Sequence, residues 1–153
     1  MSAEKRLAEL GLELPSASRP KGLYKPLLMV GNLAYTSGHL PARGDGSLVT
    51  GRVGAELDQA AGHAAARLTA LAILATLRAE LGSLDRVRRV VKVVGLVNST
   101  DDFQQQPAVI NGASELFAQV FGPDHGVGVR TALGVNALPL GAAVEIEAIF
   151  EIE

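Results

Sequence analysis

The chain contains no cysteine and no tryptophan among its 153 residues, and its aromatic side chains stop at two tyrosines and four phenylalanines. Without cysteine there is no disulfide, no thiolate nucleophile and no cysteine-ligated zinc. With so few aromatic rings, the core has to be built from Ala, Val, Leu and Gly, which suits close contact between a helix and a sheet. Excess charge is also lacking. Fourteen basic and sixteen acidic side chains leave a formal net charge of −2, which supplies no field to gather a polyanion and argues against nucleic acid as a partner. No segment offers the roughly 18 apolar residues of a membrane span, and the opening MSAEKRLAEL has no apolar signal-peptide core, so a cytoplasmic protein is expected. The sequon Asn98-Ser99-Thr100, lacking a secretory context, reads as a strand end followed by a polar turn.

What is present is a 48% hydrophobic chain of single-domain size, taken here as one domain over 1–153 with a helical arm over 1–20. In the arm, Ala3, Leu7 and Leu10 share a helical face and Gly11 with Pro15 ends it. A turn-rich stretch, PSASRPKGLYK, leads to Tyr24. Leu27–Val30 and Leu33–Ser37, separated by Gly31-Asn32, have the two-residue spacing of a hairpin with a primed turn. A short strand is possible around 48–50. From about Ala55 to Leu81, Leu57, Ala61, Ala64, Leu68, Leu71, Leu74 and Ala75 mark a helix stopped by Gly82. Val87–Val97 is Val-rich on both alternating sets and reads as a central strand. Asp102 and Gln105 resemble a capping box before a second helix with Pro107 in its first turn and Ile110, Ala113, Leu116 or Phe117, Val120 and Phe121 on its apolar face. Two last strands, Val127–Val135 and Ala143–Ile152, flank NALPLG. The order predicts an α+β fold with a mixed sheet, both helices on one face, and an open face that needs a partner.

Strand alternation sets Arg130 beside Ala132 and Gly134, so a planar guanidinium has open space before it and can grip a carboxylate or phosphate through two parallel hydrogen bonds. Arg130 reads equally as a surface cation paired with a glutamate of the next strand. On that strand, Glu145 and Glu147 share a face, and either carboxylate can hold water beside a bound anion or simply face solvent. A simple hairpin through Pro139-Leu140 would set Arg130 opposite Phe150, which leaves direct pairing with Glu145 to a bulge or a diagonal approach. Ser37 and Gly38 offer a hydroxyl and exposed backbone; Asn111 offers a helix amide. His39, His63 and His125 lack metal-ligand spacing, so no metal is expected. The run Arg86, Arg88, Arg89, Lys92 has no interleaved aromatics and reads as a solvated rim, and GPDHGVG lacks the Lys-Ser/Thr of a phosphate loop.

Together Tyr24, GNLAYTSGHLP, VINGASELF and VRTALGVNALPLGAAVEIEAIF resemble the RidA (YjgF) family, formerly described as L-PSP endoribonucleases, from Tyr24 to the chain's end. The opening helix and greater length resemble a longer-chain, less characterised branch. The resemblance implies a chorismate-mutase-like fold of the bacillary type, a homotrimer with three inter-subunit clefts, and no cofactor. It also implies roles: Arg130 binding the carboxylate of a 2-enamino or 2-imino acid, Glu145 positioning the hydrolytic water, and Tyr24, Ser37, Gly38, Asn111 and Ala132 contacting substrate. Tyr24 and Asn111 would come from the neighbouring subunit. Ala132 stands where many members have cysteine, which alters polarity around the reacting carbon.

The expected activity is hydrolysis of reactive enamine or imine acids to 2-keto acids and ammonia. Two other functions compete: a trimeric binder of small carboxylates or keto acids without turnover, and the ribonuclease of the older family description, against which the acidic balance and the lack of a catalytic histidine pair argue.

Overall fold

Gly31, at φ +60°, supplies the positive φ that a primed two-residue turn needs, and the hairpin forms as the spacing predicts. The computed structural model describes residues 1–153 and contains three α-helices and five strands: α1 (Ala3–Glu9), β1 (Leu27–Val30), β2 (Leu33–Thr36), α2 (Gln59–Leu81), β3 (Val87–Asn98), α3 (Gln106–Phe121), β4 (Val129–Val135) and β5 (Val144–Ile152). The expected strand at 48–50 reduces to isolated bridges, Ala42 to Leu48 and Thr50 to Ala142.

The strands form one mixed sheet in the order β1-β2-β5-β3-β4, parallel only between β3 and β4. The α3 crossover makes that parallel pair possible. Because β3 lies between β4 and β5, those last strands are not hairpin partners, and the expected facing of Arg130 and Phe150 is wrong. Arg130 adjoins Val93, whereas Phe150 adjoins Val90. Residues 136–143 pass the end of β3 instead of turning back on β4, and Asn98 secures the crossing by donating from its backbone N to Ala143 O and from Nδ2 to Ala142 O.

Helix α2 starts at Gln59, four residues later than the apolar pattern implies, because the Asp58 carboxylate accepts from Ala61 N and caps it there. Its buried face is also rotated from the expected one: Gly62, Ala65, Ala66, Thr69, Ala70, Ile73, Leu74 and Leu77 point inward, and Ala64 is exposed. Alanine all around the helix blurs the periodicity. This helix is long and apolar enough to cross a membrane by length and composition, contrary to the expectation that no segment is; here it is the central core helix. In α3 the expected capping box is not formed, since Asp102 accepts from Thr100 Oγ1 and the residue at the cap, Gln105, makes no side-chain bond. The apolar face of α3 is buried as predicted.

Two glycines set how closely the layers approach. A Cβ on Gly95 of β3 would lie 2.5 Å from Ile110 Cδ1, so Ile110 seats α3 in a notch in the sheet. A Cβ on Gly112 would lie 2.0 Å from His63 O, so α3 crosses directly over the backbone of α2. Beneath them Phe117 and Phe150 meet edge to face at 5.6 Å. On β5, Val144, Ile146, Ala148, Phe150 and Ile152 all face this core, while Glu145, Glu147, Ile149 and Glu151 line the opposite, helix-free face, as strand parity predicts. That open face and the sheet edges also display Leu28, Val30, Tyr35, Val129 and Leu133.

The N-terminal arm docks on the far ends of α2 and α3. Ala3 and Leu7 are buried, but Leu10 is exposed; Leu12 and Leu14 pack against the core in its place. Glu4 ties the arm down by accepting from Arg78 Nε and NH2, at 3.2 and 2.7 Å, and from Leu84 N at 2.9 Å. Truncating Leu7 to Ala should cost about 2 kcal/mol, the low end for a buried leucine because the site is peripheral and can collapse. Glu4→Ala, which leaves Arg78 and Leu84 N without their acceptor, should cost about 1–3 kcal/mol. Urea unfolding midpoints of the two variants against the parent measure both losses.

Candidate active site

Arg130 leaves β4 on the helix side of the sheet. There its NH1 donates to Asn111 Oδ1 at 2.7 Å and to Ser114 Oγ at 3.2 Å, both one turn of α3 apart. The notch that seats Ile110 in Gly95 is what brings the next residue, Asn111, to β4. No carboxylate pairs with Arg130 anywhere in the chain, so the alternative of a surface ion pair with the next strand is not realised within one chain. Ala132 and Gly134 do share its face: Ala132 packs against the core edge, and a Cβ on Gly134 would meet Gln106 Nε2 at 2.8 Å. Between α3, β3 and the start of β4 lies a cavity of about 260 Å³, with Arg130, Asn111 and Ser114 at its polar end.

Glu145 belongs to a second group on the opposite face of the sheet. It lies in register with Leu96 and, beyond it, Leu133, whereas Arg130 lies in register with Val93 and Ala148. Alternation along β5 turns Glu145 away from the helices, and its carboxyl rests against Gly38, where a Cβ would stand 2.9 Å from both Cδ and Oε1. Only glycine admits a carboxyl this close. Partial burial raises the pKa of Glu145 above the ordinary carboxylate range, and the like charge of Glu147 pushes it the same way. Ser37 is held by donating from N to Pro26 O and from Oγ to Lys25 O, which places the exposed Tyr24 at the head of this segment.

His39 fixes the Ser37-Gly38 turn from beneath. Its backbone exchanges two hydrogen bonds with Ile146, Nδ1 donates to Ser37 O at 2.7 Å, and Nε2 meets Thr76 Oγ1 of α2 at 2.8 Å. A carbonyl can only accept, so Nδ1 carries the proton and the threonine hydroxyl serves Nε2. The sequence showed His39 only as lacking metal-ligand spacing; its structural role depends on α2 and was not visible there.

The candidate residues therefore fall into two groups within one chain: Arg130, Asn111 and Ala132 on the helix side, and Tyr24, Ser37, Gly38 and Glu145 on the open side. Asn111 stands with Arg130 in the same chain, not across a boundary from it. Ser114, and Gly126, Val127 and Gly128 of the GPDHGVG segment, which reads in the sequence only as a loop, also lie on the Arg130 side. Ser114 is one helical turn from Asn111, so placing Asn111 at a site is enough to point to it.

Comparison with known proteins fits this fold. The YjgF/chorismate mutase-like family model, whose description also names an endoribonuclease, matches residues 4–150. The protein TCP17 of Trypanosoma cruzi is 44% identical over 146 residues, spanning 95% of this chain and 91% of that one. A 2-iminobutanoate/2-iminopropanoate deaminase of Dermatophagoides farinae is 31% identical over 143 residues, spanning 93% and 95%. Among solved structures, the protein Atu1372 of Agrobacterium tumefaciens, a protein of unknown function, superposes with a TM-score of 0.90 at 46% identity, covering 99% of this chain and 92% of that one. The chain belongs to the RidA (YjgF) family and has its chorismate-mutase-like α+β fold.

Two titrations check this geometry. Glu147→Gln should lower the pKa of Glu145 yet leave it above the ordinary value, because burial, the larger cause, remains; carboxyl-carbon NMR reads the shift directly. Burial lowers the pKa of His39 from 6.5, so below about 6.5 the unfolded chain takes up a proton that the folded chain does not. Stability should therefore fall as pH drops through that range, and His39→Gln should flatten the slope in urea titrations at pH 7, 6 and 5.

Proposed function

We propose that this protein is a cofactor-independent deaminase that hydrolyses 2-imino and 2-enamino acids to 2-keto acids and ammonia. The observation that carries the proposal is the unpaired Arg130 guanidinium, aimed by Asn111 and Ser114 beside open space, in a chain that also holds a carboxyl with a raised pKa. In the proposed reaction Arg130 binds the substrate carboxylate through its free edge. Water adds to C2 while Glu145 accepts its proton and passes it to the imine nitrogen, giving a carbinolamine; Glu145 then takes the remaining hydroxyl proton and delivers it to the amino nitrogen as the C2 carbonyl forms, the C–N bond breaks and ammonia leaves. An enamine first takes a proton at C3 to become the imine. A carboxyl whose pKa is raised above the ordinary carboxylate range suits this two-way transfer, because it holds a proton more readily than an ordinary carboxylate and can still give it up.

Opposite sheet faces keep Arg130 and Glu145 apart within a chain, so the proposal requires the helix side of one copy to meet the open side of another. A homotrimer with three such clefts is the assembly proposed, and the exposed Leu28, Val30, Val129 and Leu133 offer apolar surface for it. In this arrangement Ala132 leaves the cleft near the reacting carbon apolar. The binder without turnover shares the Arg130 grip but makes no use of Glu145. The 31% identical deaminase supports the catalytic reading, and the acidic pair Glu145 and Glu147 disfavours an RNA backbone. A cytoplasmic setting, where pyridoxal-phosphate enzymes release such imines, completes the proposal.

Ammonia release from enzymatically generated 2-iminopropanoate should be accelerated by the purified protein. Glu145→Gln should lower kcat/KM at least about a hundredfold, the usual scale for a positioned acid–base group, and Arg130→Ala should lower it about tenfold to a hundredfold, as loss of a charged hydrogen-bond partner for the substrate carboxylate implies. Sedimentation should give the mass of three chains. Saturable keto-acid binding without any turnover would establish the binder instead, and a monomer at micromolar concentration would rule out a shared cleft.

A further inference from the structure

We infer that His39 is a positioning residue for Glu145, locking a one-residue bulge just beyond β2 that holds Gly38 against the glutamate carboxyl. The inference rests on the water-activating role proposed for Glu145 and adds a residue that acts through it without touching substrate. Pairing between β2 and β5 stays in register up to Tyr35 and Ile149 and resumes at His39 and Ile146. Thr36, Ser37 and Gly38 therefore lie against only Ala148 and Glu147, which is the count of a β-bulge. A side chain stitches the break, since Ala148 N donates to Thr36 Oγ1 at 3.0 Å. Thr36 and His39 stand an odd number of positions apart, yet both are buried. The bulge is what turns the His39 ring inward to α2.

A bulge interrupts the ladder, and here the Ser37 carbonyl is left without a strand partner. His39 Nδ1 meets that carbonyl at 2.7 Å, and Nε2, at 2.8 Å from Thr76 Oγ1, anchors the ring to the central core helix. Thr76 is 1% exposed, so no solvent competes for the anchor. With both ring nitrogens held, the backbone between Ser37 and His39 has one shape, and Gly38 is the residue it shapes. Gly38 makes no backbone hydrogen bond of its own, so its place depends on these neighbours. A Cβ on it would stand 2.9 Å from Glu145 Cδ, and this close seat contributes to the partial burial that is the larger cause of the glutamate's raised pKa. Glu147, the like charge beside it on β5, is untouched by changes at His39. Releasing the bulge would open the Glu145 carboxyl to solvent without disturbing Arg130, which lies on the other face of the sheet.

Carboxyl-carbon NMR of Glu145, together with steady-state kinetics on enzymatically generated 2-iminopropanoate, tests the lock in the full-length protein. In His39→Leu, which removes both ring bonds, the pKa of Glu145 should fall toward the ordinary carboxylate range, and kcat should drop about tenfold to a hundredfold, the scale of a misplaced reacting group. KM should stay within about twofold, because the interaction lost serves the chemical step and not the carboxylate grip. His39→Asn, whose amide can still donate to Ser37 O, should recover much of both. Thr76→Val keeps the shape of α2 and removes only the hydroxyl anchor, so it should move Glu145 in the same direction by a smaller step. A residue serving stability alone would lower the urea midpoint yet leave the Glu145 titration and kcat at parental values in the folded protein. That result in His39→Leu, or in Thr76→Val should His39→Leu not fold, would overturn the inference. Absence of turnover in the parent protein would sink the deaminase reading alone, since the Glu145 titration decides the lock by itself.

Discussion

The seating of Ile110 in the notch left by Gly95 is the contact on which the rest of the site depends. A methyl group at position 95 would occupy the space of the isoleucine side chain and lift α3 from the sheet. With α3 seated, Asn111 and Ser114 come within hydrogen-bond reach of a β4 arginine that otherwise has no protein partner. Gly112, one residue further, lets the same helix press on the backbone of α2. Three consecutive residues of α3 thus join sheet, site and helix layer, and the small side chains of this composition are what permit it.

Much of this was legible in the sequence because it depends on local pattern. The Gly31-Asn32 turn, the alternation on β5, the apolar face of α3, and the grouping of Arg130 with Ala132 and Gly134 each follow from periods of two or 3.6 residues. What was not legible depends on strand order. Chain continuity suggested that β4 and β5 pair, but β3 enters between them, and no local rule conveys that insertion. The register expected for Arg130 failed for that reason. The buried face of α2 was misplaced for a different one: alanine on every side gives a periodicity too weak to orient.

The site followed the same division. Motif and parity singled out the candidate residues, but not how they group. The sequence joined Arg130 to Glu145 and set Asn111 apart. Three-dimensional placement joins Arg130 to Asn111 and sets Glu145 on the other face with Gly38, Ser37 and Tyr24. His39 contributes beneath that second group because α2 brings Thr76 to its ring, a contact spanning 37 positions that no spacing rule anticipates.

The division of the site between two sheet faces has a genetic consequence. In the proposed assembly each cleft draws one face from each of two chains, so a lesion on either face of one chain damages only the clefts to which that face contributes. Two inactive versions of the protein, one lacking the guanidinium of Arg130 and the other the carboxyl of Glu145, would regenerate an undamaged cleft when assembled together. Coexpression could restore activity to a pair of alleles that are each null alone.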